Sequence, residues 1–212
     1  MFVFNKLDEY IIEEKPIIIF LSHTHLDHVI GLHILNKFRF PQGIKIYGET
    51  GIKSALNTII THPYTAPFKN VPYSIEIIEF EEGENTKPFK FKAKHLVHSD
   101  SCIGYRIELD NKTITYCIDT SVCDNIFELS QQADLLILEC SYKSGQEKWG
   151  WPHLKPEEAA EIAKQCDVKQ LILTHFDASI YKNIKDREEV ELKAKDIFPS
   201  TIAAKDGLQL IV

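Results

Sequence analysis

The sequence lacks an excess of positive charge, a C-x-x-C pair, a long unbroken apolar run and a glycine-rich nucleotide loop. Asp and Glu total 31 against 24 Lys and Arg, for a net charge of −7, so there is no general attraction to nucleic acid or to an anionic membrane; only a local basic patch could supply one. Five cysteines, odd in number and scattered at Cys102, Cys117, Cys123, Cys140 and Cys166, form neither a disulfide framework nor a thiolate zinc site. They point to a reducing compartment, the cytoplasm. The opening "MFVFNKLDEYIIEEKP" carries acids where a secretory leader has a basic start and an apolar stretch, and no later run approaches the ~20 apolar residues that span a bilayer. A length of 212 residues, 44% of them hydrophobic, is enough for a sizeable core and reads most simply as one domain over 1–212.

Short apolar runs alternate with amphipathic ones. The segments 16–22, 44–48, 74–80, 89–95, 104–109, 113–119, 133–139, 170–175 and 208–212 have strand character. Helical patterns lie between them at 28–37, 50–60, from 155 ("KPEEAAEIAKQC") and from 185 ("KDREEVELKAKDIF"), the third opening with a proline and acids suited to a helix N-terminus. This interleaving predicts a layered α/β architecture. The acidic run "EFEEGE" (79–84) reads as a solvated turn.

Polar residues collect where strands end. "IIIFLSHTHLDH" closes on His23, His25, Asp27 and His28, "TYCIDT" on Asp119 and "LILTH" on His175, and "FKAKHLVHSD" places His95 and His98 just beyond a strand. Loops after strand C-termini are the usual place for sites in layered α/β proteins, because the sheet fixes them while leaving them open. Taken singly, each residue has a plain structural reading: a satisfied histidine, or Asp27 as a helix cap. For "HTHLDH" as a unit that reading fails, since adjacent imidazoles without a metal cost desolvation and repel when protonated. Imidazole and carboxylate donors without clustered thiolates suit an open catalytic centre, with zinc first and iron or manganese as alternatives. His33 and His62 have no such company and read as surface residues, while His95 competes with His98 for one ligand position.

"HTHLDH" resembles the H-x-H-x-D-H signature of the metallo-β-lactamase superfamily, and His98 in "HS", Asp119 in "IDT", His175 in "LTHF" and a closing "AAKDGLQLIV" follow in that family's order. The resemblance implies an αββα sandwich with two divalent metal ions: His23, His25 and His98 on one, Asp27, His28 and His175 on the other, Asp119 bridging, and a shared hydroxide as nucleophile. Such a pair, ~3.5–4 Å apart, lowers the pKa of its bridging water and clamps transition-state oxygens, which makes the expected reaction a hydrolysis. The diiron oxidoreductases of the superfamily resemble H-x-E-x-D-H instead, with a glutamate where His25 stands here.

"ADLLILECSY" followed by "WPHLKPEEAAEIAK" is similar to the stretch of ribonuclease Z and related phosphodiesterases in which a glutamate and a histidine work at the leaving group, and it matches Glu139 and His153. With Asp27, these are the candidate catalytic residues. The plain alternative is a strand-end charge at Glu139 and a helix-preceding His153. No long glycine-rich, basic insertion separates His28 from His98, so a small or cyclic phosphodiester is expected in preference to tRNA. A thioester or lactone hydrolase on the same centre, which would not need His153, and a catalytically weak metal-binding module are the alternatives. The resemblance implies a strand pair ahead of "MFVFNKLDEYIIEEKPIIIF" that has no counterpart here, so the expectation is an αββα sandwich lacking its first strands: a naturally short chain, an incomplete reading frame, or one that pairs its exposed sheet edge with another subunit, with self-association or low stability as the result.

Overall fold

A computed structural model describes residues 15–148 and 150–212. The expectation about the sheet edge concerns chain ahead of Lys15 and lies outside them. Internal contacts divide the chain into two compact units, Met1–Glu81 and Glu82–Val212.

The first unit holds a parallel three-stranded sheet of β1 (Ile17–Phe20), β2 (Ile44–Glu49) and β3 (Ile75–Phe80), in that spatial order. Parallel neighbours need crossovers. Between β1 and β2 runs one α-helical turn, α1 (Leu26–Val29), continuing as a 3-10 helix over Ile30–Lys37; between β2 and β3 runs α2 (Ile52–Ile59). The sequence pattern anticipates an ordinary helix at 28–37; the structure winds it more tightly. Val29, Leu32 and Leu35 are all buried at a spacing of three, the period at which a 3-10 helix stacks side chains on one face. They pack with Phe40, Ile44, Ile46, Ile52 and Leu56 into this unit's core. At the start of α2, Gly51 takes a φ of +102°, and the Glu79 carboxylate accepts from Gly51 N (2.8 Å) and Lys53 N (3.1 Å), capping the helix from β3.

The second unit is a seven-stranded sheet in the order β10-β9-β8-β7-β6-β5-β4. Four strands, β4 (Gly83–Asn85), β5 (Phe91–His95), β6 (Ile103–Leu109) and β7 (Lys112–Cys117), form an antiparallel meander. Asp110 and Asn111, with φ of 51° and 61°, make the tight β6–β7 turn. The remainder, β8 (Leu135–Glu139), β9 (Leu171–Thr174) and β10 (Thr201–Ala203), continues parallel to β7 through crossover helices α3 (Asp124–Ser130), α4 (Pro156–Gln165) and α5 (Ile184–Lys195). Pro156 opens α4, where Glu158 accepts from Lys155 N at 2.8 Å; Asn183 and Asp186 box the start of α5. Leu136, Leu138, Leu171 and Leu173 meet Ile126, Leu129, Ala159 and Ile162 in this unit's core.

Three further elements depart from the sequence reading. "EFEEGE" is not a free turn: Glu79 and Phe80 complete β3, Gly83–Asn85 forms β4, and Glu84 pairs with Lys92 at 3.2 Å. The last strand is Thr201–Ala203 rather than 208–212, where Leu210, Ile211 and Val212 are exposed. Helix α3, only 7 residues long, is too short to show a periodic pattern. Among the described residues, no helix is long and apolar enough to cross a membrane.

The second core tests its own packing at Gly104 on β6. A Cβ there would lie 2.9 Å from Cys117 Sγ, 2.9 Å from Leu129 Cδ1 and 3.1 Å from Leu96 Cδ2. Gly104→Ala is expected to cost about 1–3 kcal/mol of overpacking, read as a lowered urea midpoint with an unchanged m-value. An unchanged midpoint would show that these neighbours yield freely.

Candidate metal centre

In the first unit, the H-x-H-x-D-H stretch begins three residues after β1. Leu21 N donates to Tyr47 O (2.9 Å), which extends the β1–β2 pairing to the foot of the motif. His23 is buried, with its ring centroid 4.6 Å from that of His25 and 4.2 Å from that of His28. The chain then turns into α1, where His28 N and Val29 N both donate to His25 O. His25 is therefore the N-cap residue and Asp27 a first-turn residue, so the simple capping role for Asp27 does not apply. The Asp27 carboxylate lies 3.2 Å from His28 Nε2. Three imidazoles and a carboxylate thus share one strand-to-helix turn.

In the second unit, parallel register does the gathering. Cys117 pairs with Leu138, and Glu139 with Thr174, so β7, β8 and β9 end level with one another. Asp119, Glu139 and His175 follow at that end. Because β5 runs antiparallel to β6, and β6 to β7, the β5–β6 loop carrying His98 opens at the same end. Asp119 and His175 take φ of 52° and 54°, a left-handed conformation that turns the chain sharply off the strand. His175 Nε2 is 3.2 Å from Asp119 Oδ1. Donor atoms of Asp119, His153 and His175 all lie within 4.8 Å of one another. The His98 and His153 ring centroids are 6.1 Å apart.

Glu139, fully buried, faces His153. His153 Nδ1 is 2.9 Å from Glu139 Oε1, and the same carboxylate accepts from Thr120 N (2.5 Å), Leu154 N (3.1 Å) and Ser141 N (3.3 Å). Burial alone would lower the His153 pKa; the hydrogen bond and charge of Glu139, with Asp119 and Asp177 behind them, outweigh it, and the net shift is upward.

Two serines went unmarked in the sequence. Ser22 Oγ lies 3.0 Å from His23 Nδ1, and Ser141 Oγ lies 3.0 Å from His175 Nδ1 while donating to His175 O at 2.8 Å. In each ring the hydroxyl occupies Nδ1 and leaves Nε2 for another partner, as outer-shell groups do for metal-binding histidines. A serine one residue before, or two after, a strand-end residue is too common a pattern to stand out. His95 turns elsewhere: it is exposed, 3.3 Å from Ser101 Oγ and 4.0 Å from a Glu82 carboxylate oxygen. His33 and His62 are exposed, as expected.

The family model for the beta-lactamase superfamily domain matches residues 11–176. The chain belongs to the metallo-β-lactamase superfamily. It is 29% identical to ribonuclease Z of Bacillus thuringiensis (strain Al Hakam), an alignment covering 89% of this chain and 78% of the relative. Among solved structures it is similar to the metallo-β-lactamase fold protein YhfI of Bacillus subtilis, with a TM-score of 0.77, 26% identity, and coverage of 97% of this chain and 81% of that one. The short form of human tRNase Z shares the fold, with a TM-score of 0.70 at 23% identity over 97% of this chain and 83% of that one. A diphosphatase of the PhnP family does so with a TM-score of 0.72 at 21% identity, over 99% and 76% of the two chains.

As a member of this superfamily the chain is a metal-dependent hydrolase, and the fold implies divalent metal ions. The donor set fits such ions. Imidazoles whose second nitrogen is already engaged, beside a carboxylate whose oxygen reaches His175 Nε2, are borderline-hard ligands of the kind divalent first-row metals take. Ser141→Ala should therefore loosen metal without disturbing the fold. Competition with a chelator is expected to show about a 10- to 100-fold loss of affinity with an unchanged circular dichroism spectrum. Retention equal to the parent protein would leave the serine a purely local role at His175.

Proposed function

We propose that the chain is a dinuclear metal-dependent phosphodiesterase of the cytoplasm acting on a small or cyclic phosphodiester. His23, His25 and His98 would hold one ion and Asp27, His28 and His175 the other, with Asp119 bridging; zinc is the first choice, manganese or iron the alternatives. Asp119 and His175 sit within reach of one another at the sheet end, and the motif's three imidazoles share one turn, which supports this allocation. All five cysteines are free thiols, which suits a reducing compartment.

When bound, the ions supply a water acidic enough to attack near neutral pH and a positive field for the phosphoryl oxygens. The protein's own residues supply the rest. Glu139 occupies His153 Nδ1, so the imidazolium proton available to substrate is on Nε2. The Glu139 charge keeps that ring protonated to higher pH, while the three backbone N–H groups hold the carboxylate still. A phosphodiester needs this arrangement because its leaving alkoxide is a poor one until protonated. The Glu139–His153 contact is the observation that carries the phosphodiesterase reading over thioester or lactone hydrolysis.

Relatives named ribonuclease Z make an RNA ester the second reading. A hydrolysis panel of bis-p-nitrophenyl phosphate, cyclic nucleotides, a precursor tRNA, a thioester and a lactone separates the readings; turnover of the thioester or lactone alone would sink the proposal.

Elemental analysis should find close to two metal ions per chain. Asp119→Ala should lose metal and most activity, while His33→Ala, at an exposed residue outside the motif, changes neither. A metal-free protein of full activity would end this reading.

For His153 the leaving group is the probe. With p-nitrophenolate, stable as an anion, His153→Ala should cost little in kcat. With an alkyl alkoxide the loss should approach the 10²- to 10⁴-fold order of general acid catalysis, and Glu139→Gln should follow the same dependence more weakly. Metal content must be intact in both variants, since His153 also lies within ligand distance of Asp119 and His175. Equal losses on both esters would make His153 a positioning residue or a ligand.

A further inference from the structure

Three loops of the second unit that carry candidate site residues each expose an apolar side chain. Val97 precedes His98 and is 49% exposed, Val122 follows Asp119 by three residues and is 44% exposed, and Trp151 precedes His153 by two and is 59% exposed. A lone exposed valine means little, because folded surfaces carry many apolar atoms. An indole is different when its backbone is pinned. His153 N donates to Trp151 O at 2.9 Å, and Tyr142 Oη reaches the same carbonyl at 3.4 Å. Tyr142 is itself buried, bonds through its own N–H to Leu154 O at 3.0 Å, and sets its ring edge-on to His153 with centroids 6.0 Å apart. The peptide bearing Trp151 is thus fixed to the segment bearing the proposed acid, while its ring stands in solvent. The Val97 backbone is anchored too: its N–H donates to Thr120 Oγ1 and its carbonyl accepts from Ser121 N, both at 3.2 Å, next to Asp119.

A backbone-anchored, solvent-exposed, uncharged aromatic side chain two residues from the proposed acid is suited to stacking on a flat substrate group. We propose that Trp151 is a specificity-determining residue that stacks on a planar heteroaromatic group of the substrate, biologically a nucleobase, so that base-bearing phosphodiesters are preferred to those carrying a sugar alone. The proposal rests on the phosphodiesterase reading for its substrate class but not for the stacking itself. Stacking needs no hydrogen-bond readout, so the preference extends across bases.

The test compares adenosine 2′,3′-cyclic phosphate with the 2′,3′-cyclic phosphate of methyl riboside, which share the reacting ester and differ only in the base. The ratio of their kcat/KM values should fall about 5- to 150-fold in Trp151→Ala, mainly through KM, and stay near the parent value in Trp151→Phe. A second measurement needs no turnover. In a Trp149→Phe protein, where Trp151 is the one indole left, adenosine monophosphate should quench its fluorescence and ribose 5-phosphate should not. If neither ester is cleaved, the phosphodiesterase reading fails while the quenching still decides the stacking. A preference unchanged in Trp151→Ala, or equal fluorescence responses to both ligands, overturns the proposal.

Discussion

The second unit depends on one buried carboxylate. Glu139 ends the central strand β8 with no exposed surface, and taking a carboxylate out of water costs several kcal/mol even after the protein relaxes around it. Four donors offset that cost: Thr120 N, Ser141 N, Leu154 N and His153 Nδ1. Hydrogen bonds to a charged group contribute about 1.5–3 kcal/mol each, so the set can hold the charge in place. Its larger effect is geometric. Thr120 belongs to the loop after β7, Ser141 to the chain leaving β8, and Leu154 to the approach to α4. One side chain therefore ties three segments together at the sheet end, and two of them carry Asp119 and His153. Glutamine there would keep one acceptor oxygen but turn its amide N–H groups toward the donors that the other oxygen satisfies, so Glu139 is a structural strut as well as the partner of His153.

Parallel register supplies the second constraint. In an antiparallel meander successive strand ends alternate between the two edges of the sheet, so at most every other loop can contribute to one site. From β7 onward the chain instead returns through α3, α4 and α5, and each of β7, β8 and β9 delivers its C-terminal residue to the same edge. The first unit repeats the device with β1, whose end carries the histidine motif. The change from antiparallel to parallel pairing at β7 is what allows Asp119, Glu139 and His175 to be neighbours though they are distant in sequence.

These residues were legible in the sequence because the chemistry is concentrated where apolar runs stop, and a run of isoleucines or leucines ending in His or Asp is a strong local signal. The partners that hold them were not legible. Ser22 and Ser141 look like any strand-end serine, and their meaning lies in which ring nitrogen they meet. Glu79, Glu82 and Glu84 read as a solvated acidic turn, yet each reaches a different partner: the start of α2, His95 N and Lys92. The strands at Gly83–Asn85 and Thr201–Ala203 are three residues each, too short for alternation to register. In "LQLIV" the composition of a strand was present, but the parallel place beside β9 was taken by the segment following α5.

The backbone at Asp119 and His175 shows where stability has been traded for geometry. A left-handed φ at a residue with a side chain costs of order 1–3 kcal/mol, and both positions lie directly beyond parallel strands where glycine would relieve it. Glycine would also remove the only group either position has to offer. The conformation turns each side chain back along the sheet end, which brings His175 Nε2 to 3.2 Å from Asp119 Oδ1. Ser141 then fixes both the carbonyl and the ring of His175, and the Glu139 bond to Thr120 N fixes the peptide after Asp119. The strain is thus held by the same buried contacts that orient the polar groups. Weakening one of those contacts loosens the backbone locally, and the site with it, at the ends of β7, β8 and β9.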